Sequence, residues 1–214
     1  VLAKSGSRRG GSADAVPPAE PERLLDTPTY EGFPVRALYT ALDARPEAPL
    51  PGDWPFTRGA DATRDVLSGW KVMEVFPHAG VGVAEGNSAV LTALADGVSG
   101  LVLRVGAGGT AVDDLDRLLE GVFLELVPVV LDAGADYAAA ADAVLALVAA
   151  LPADKRAALS IDLGGDPLTA ALSGRPSATA DEVCRLAARV ADFGGGVRAI
   201  TVDGRAFHDR GANA

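Results

Sequence analysis

From Trp70 onward, short apolar runs rich in Val, Ile and Leu alternate with helical stretches of about 10 to 15 residues. Strands are expected at Trp70–Pro77, Leu101–Val105, Leu126–Leu131, Leu159–Leu163 and Val197–Val202. Helices are expected at Asn87–Asp96, Ala111–Glu120, Tyr137–Leu151 and Thr179–Phe193. The third of these is rich in Ala, the best helix former, and the fourth opens with capping-box spacing from Thr179 to Glu182. Near-continuous apolar strands separated by helices predict an α/β protein whose parallel sheet is covered on both sides, because right-handed crossovers carry the helices outward. The expected architecture is a TIM (β/α)8 barrel, incomplete, with about five βα units present. A whole barrel takes eight strands and about 250 residues.

Three regions are expected. Residues 1–29 form a flexible leader or linker, with Gly, Ser, Ala and Pro crowding Gly6–Pro21 without any period. Lys4, Arg8 and Arg9 stand there without acids, as in a transit peptide, but there is no initiator Met and the start reads as an internal cut. Residues 30–69 form an extended arm, since Pro34, Pro46, Pro49, Pro51 and Pro55 forbid a long helix. Residues 70–214 form the partial barrel.

Of the 214 residues, 19 are basic and 29 acidic, a net charge of -10 that repels phosphate backbones and anionic lipid. Nucleic acid and membrane are therefore not expected partners. No apolar run approaches the ~18 to 20 residues of a membrane span, and Asp142 interrupts the longest apolar helix. One cysteine, Cys184, fits a reducing cytoplasm and reads as a small buried thiol in an amphipathic helix. The Ala- and Gly-rich composition points to a high-GC bacterial source.

Gly106-Ala107-Gly108-Gly109-Thr110-Ala111 fits the G-x-G-x-x-A of a dinucleotide fold, with Glu125 as a candidate ribose acid. It follows the second strand of the repeat instead of the first, and Asp113, Asp114 and Asp116 in the next helix would repel a pyrophosphate. A βα loop needing tight turns is the preferred reading. Asp132, Asp162 and Asp203 fall near the C-terminal ends of strands three, four and five, where three carboxylates could bind a divalent cation. Helix caps and acceptors for loop amides are the favoured roles. Trp54, Phe56 and Trp70 read as aromatic anchors for core or interface packing.

The run Leu50-Pro-Gly-Asp-Trp-Pro-Phe-Thr-Arg-Gly59 resembles the segment that leads into the barrel of methylmalonyl-CoA mutases. Trp70–Asn87 is similar to the family's first strand, with His78-Ala79-Gly80 in place of aromatic-Ala-Gly and then Ala84-Glu85-Gly86-Asn87. The resemblance runs from Pro28 to the C-terminus, where Ile200–Ala214 is similar to the end of the fifth strand and its His-containing loop. It implies an isomerase of propionate metabolism that interconverts methylmalonyl-CoA and succinyl-CoA, with adenosylcobalamin supplying the radical.

Departures from the family pattern narrow the expectation. Catalytic members carry a tyrosine where this chain has His78, and an Arg- and aromatic-rich stretch where Ser160–Arg175 offers Asp162, Asp166 and a late Arg175. His208 matches the family's histidine after strand five, so His78 and His208 are expected as degenerate substrate-site positions and no catalytic residue is expected. The family's cobalt-ligand motif is Asp-x-His-x-x-Gly. His208-Asp209-Arg210-Gly211 echoes its second half, but Ala206 stands in the aspartate's place. The chain thus resembles the small, non-catalytic subunits of heterodimeric mutases, which implies a large-subunit partner and adenosylcobalamin on that partner. Two other readings remain at this point: a catalytically competent acyl-CoA mutase barrel, with His78 and His208 as an acid/base pair, and, more remotely, a dinucleotide-binding α/β domain.

Overall fold

The structure is a computed structural model that describes residues 21–59, 61–63, 67, 69–193 and 196–212. Most of the leader, including Lys4, Arg8 and Arg9, lies outside the described residues. What is described falls into two units that divide after Leu67.

In the first unit the described elements are short turns and one small ladder. A 3-10 turn at Pro21–Leu25 precedes an antiparallel ladder of two residues on each side, Thr27–Pro28 with Pro34–Val35. A second 3-10 turn, Ala41–Asp43, is capped by Thr40. The Leu50–Gly59 run closes on itself: Gly52 N–H donates to the Gly59 carbonyl at 2.9 Å, and both glycines have positive φ, 89° and 102°. None of the described residues of this unit is buried, with Tyr30 92% and Leu42 97% exposed.

The second unit holds five parallel strands: β1 (Met73–Phe76), β2 (Gly100–Arg104), β3 (Val129–Asp132), β4 (Ile161–Gly165) and β5 (Val197–Ile200). They lie side by side in chain order. Each connection steps to the next strand in the same direction, so there is no point where the order reverses, as a doubly wound dinucleotide fold requires. Between the strands run α1 (Val83–Ala95), α2 (Leu115–Leu118), α3 (Tyr137–Ala149), α4 (Ala153–Ala157), α5 (Ala170–Ser173) and α6 (Ala180–Val190), and α7 (Arg205–His208) follows β5. The expected helix at Ala111–Glu120 is shorter: its run of aspartates sits in a 3-10 turn, Val112–Asp114, ahead of the four-residue α2. The capping box at Thr179 is as read, with Glu182 N–H donating to Thr179 Oγ1 and Thr179 N–H donating to Glu182 Oε2 at 2.8 Å.

Among the described residues of this unit, helices pack on one face of the sheet. Register pairs Leu103 with Leu131 and Val129 with Ile161, and this parity, Phe76, Leu101, Leu103, Val129, Leu131, Ile161, Leu163, Val197 and Ala199, packs with the helices into one buried core. Residues of the opposite parity, Val102, Arg104, Val130, Asp132, Asp162 and Arg198, are half-buried or exposed. Strands stepping always the same way place every right-handed crossover on one face, which is why the other face stays open.

Residues that carry the family resemblance have packing roles here. Asn87 on α1 donates through Nδ2 to the carbonyls of Leu118 (2.9 Å) and Glu120 (2.8 Å), closing the end of α2. A Cβ on Gly86 would stand 3.1 Å from Leu118 and 3.3 Å from Pro77, so glycine lets α1 approach both α2 and the exit of β1. Cys184, expected to be buried, is exposed on α6: the helix buries Val183, Leu186 and Val190, and position 184 falls off that stripe.

Candidate functional site at the C-terminal end of the sheet

A cavity of about 340 Å³ opens where β3, β4 and β5 end. Val102 and Val130 lie along its wall from the open face of the sheet, and Asp132, Arg175, Thr201 and Asp203 bring polar groups to it. Gly164 makes this possible on β4. It has φ +79° at a register break, and a Cβ there would collide with the Leu131 carbonyl oxygen.

The charged groups are committed to one another. Asp132 accepts from the Arg175 guanidinium, which reaches back from the loop after β4. Asp166 accepts from the amides of Leu168 (3.1 Å), Thr169 (2.8 Å) and Asp203 (3.1 Å) and from the Thr169 hydroxyl, binding the loops after β4 and β5 together. Partial burial works to raise its pKa, but these hydrogen bonds outweigh it and hold the carboxyl below the ordinary aspartate value. Asp203 accepts from Arg205 N–H at 3.0 Å, capping the turn that starts α7. Thr201 Oγ1 is buried with no hydrogen-bond partner among the described residues.

The three aspartates singled out from the sequence therefore divide. Asp132 and Asp203 reach the cavity, whereas Asp162 sits deeper on the open face and accepts from Arg198 Nε at 2.6 Å and a second guanidinium nitrogen at 3.0 Å. No group of three or more His, Cys, Asp or Glu side chains able to hold a metal is found among the described residues.

His78 and His208 follow the first and the last strand of the sheet. His78 follows β1, its ring 5.5 Å from that of Phe76, beside a hollow lined by Glu74 and Glu85. His208 is exposed on α7, beyond β5. β1 and β5 are the outermost strands in the sheet order, and neither histidine lines the cavity.

The glycine run after β2 is a tight turn, with Gly106 and Gly108 at φ +82° and +80° and Gly106 N–H donating to the Thr110 carbonyl at 2.8 Å. A Cβ on Gly106 would run into the Asp136 carboxylate, so the loop leans on an acid that would repel a pyrophosphate. Trp54 and Trp70 are 80% and 88% exposed and take no part in a core, while Trp54 and Phe56 meet edge to face at 5.7 Å. Sequence reasoning missed Asp166, Arg175 and Thr201 as site residues. Asp166-Pro-Leu-Thr169 is a spacing at which an aspartate takes up nearby amides, and could have drawn notice. The pairing of Arg175 with a residue 43 positions earlier leaves no local trace.

No family model matches the chain. It is 60% identical over 194 residues, 91% of its length, to the probable methylmalonyl-CoA mutase small subunit of Mycobacterium bovis. It is 41% identical over 216 residues to the methylmalonyl-CoA mutase small subunit of Streptomyces virginiae, and 34% identical over 199 residues to that of Propionibacterium freudenreichii subsp. shermanii. The chain spans about a third of the length of these curated relatives, 31%, 33% and 30% in turn.

Proposed function

Because the chain is a relative of the methylmalonyl-CoA mutase small subunits, we propose that it is part of the small subunit of an adenosylcobalamin-dependent methylmalonyl-CoA mutase, and that this subunit stabilises a catalytic large subunit without carrying the chemistry. The observation that carries the proposal is the 60% identity across 91% of the chain. The reaction is the isomerisation of methylmalonyl-CoA and succinyl-CoA in cytoplasmic propionate metabolism. The sheet supports closure into a (β/α)8 barrel in the longer protein: five parallel strands in chain order, helices on one face, the other face open.

Two features favour a scaffold over a catalytic barrel. The carboxylates and the arginine at the cavity are committed to partners in the fold. The arm exposes Tyr30, Leu42 and Trp54, apolar surface suited to lying along the large subunit as a heterodimer forms.

Adenosylcobalamin supplies radical chemistry where it binds, but the residues here do not fit a cobalt site. Ala206, buried at 4%, occupies the place of the aspartate in the family's ligand motif, and a methyl group cannot orient the imidazole of His208. The cofactor is assigned to the partner. The test is to purify the full-length chain and its large subunit separately, then measure mutase turnover and adenosylcobalamin binding for each alone and for the mixture. Turnover and binding that follow the large subunit support the proposal, and turnover by this chain alone overturns it.

A further inference from the structure

The loop between α5 and α6 lines the cavity at the C-terminal end of the sheet. It leaves α5 through Gly174, in the left-handed conformation at φ +69°, and ends at the capping box of Thr179. Both ends are thus held by helix termini, and Arg175, Pro176, Ser177 and Ala178 between them line the cavity. Two contacts bring this strap across to β3. The Arg175 guanidinium pairs with Asp132 at the strand's end, and the Pro176 carbonyl oxygen lies over Gly134, close enough that a Cβ there would stand 3.1 Å from it. Thr201 lines the same cavity, its hydroxyl oxygen buried and without a partner among the described residues.

We propose that residues 174–178 are a latched lid over this cavity, with the Arg175–Asp132 ion pair as the latch. The lid swings on Gly174, since glycine meets positive φ without steric cost. The latch is weak by design of its surroundings: Arg175 keeps 55% and Asp132 26% of its side-chain surface exposed, and pairs in water contribute little. Such a lid opens often, and a group that competes for the guanidinium or the carboxylate shifts it toward open.

The test uses thiol labelling of the full-length chain carrying Thr201→Cys, with the exposed native Cys184 as an unlidded reference in the same molecule. Labelling at 201 is expected to be slower than at 184. Adding Asp132→Asn or Arg175→Gln is expected to speed labelling at 201 by about two- to fivefold, the range an exposed ion pair supports. The charge swap Asp132→Arg with Arg175→Asp is expected to restore the slow rate, and Cys184 is expected to label alike in all of them. If Thr201→Cys does not fold, Ala178→Cys, 5% exposed on the strap itself, reads the same opening. Equal rates at the cavity position with and without the latch overturn the proposal. So does a rise at Cys184 that matches the rise at 201, which is general loosening.

Discussion

At Asp166 one carboxylate accepts four hydrogen bonds from two loops, so its loss is felt where the sheet ends. Replacing it with Ala strands the Thr169 and Asp203 amides, and about 1–3 kcal/mol of stability is expected to go, measurable by denaturant titration. Its native pKa is depressed, so its contribution is whole above the unfolded aspartate value of about 4 and is lost as pH falls through the lower native value. Asp166→Asn is therefore expected to flatten the acid limb of the stability curve below about pH 4. Asn87 repeats the logic inside a motif: its amide serves two carbonyls at the end of α2, and Asn87→Ala is expected to cost about 1–3 kcal/mol. The sequence resemblance flagged this asparagine without saying why it is there, because its partners lie 31 and 33 positions away. Cys184 shows the opposite error. Residue type alone favoured burial, whereas the helical stripe of Val183, Leu186 and Val190 would have placed it outside.

Among the elements, α3 is tied to the sheet at its first residue. Tyr137 is 2% exposed and its hydroxyl donates to the Ala199 carbonyl on β5 at 2.9 Å, reaching past β4. Gly165 on β4 makes the passage, since a Cβ there would sit 2.8 Å from the Tyr137 ring and 2.7 Å from the Ala199 oxygen. Gly165→Ala is expected to destabilise by about 1–3 kcal/mol through overpacking, read from the denaturant midpoint, while Tyr137→Phe loses only the hydrogen bond. Burial first, and then the charge of Glu182, pushes the Tyr137 pKa up to about 12. The folded state thus keeps its proton longer than the unfolded chain. This contribution is whole below about pH 10 and declines as pH rises toward about 12. A stability titration across that window is expected to show a decline that Tyr137→Phe lacks. The strands and the capping box were legible because they depend on local pattern. The short α4, α5 and α7 were not, since four or five residues carry too little period, and the positions of Tyr137 and Gly165 become meaningful only when three strands are set side by side.

For the molecule as a whole, the two faces of the sheet make the deciding contrast. Alternation along a strand says that two faces exist, but the near-continuous apolar runs concealed that the described helices cover one of them. Adjacent residues on β3 report the difference. Leu131 is 2% exposed in the helix-packed core, while its neighbour Val130 is half-buried on the open face. In this chain Leu131→Asn is expected to cost about 3 kcal/mol or more, from lost apolar burial and a desolvated amide, and Val130→Asn less than about 1.5 kcal/mol, because its amide keeps contact with water. If the open face becomes the interior of a closed barrel in the longer protein, the same Val130→Asn change then sits in a packed layer and its cost rises toward that of Leu131→Asn. Denaturant titration of both variants in both lengths separates the cases. A Val130 penalty that grows with the added chain marks that face as interior, and one that stays small in the long chain means the barrel does not close over β3.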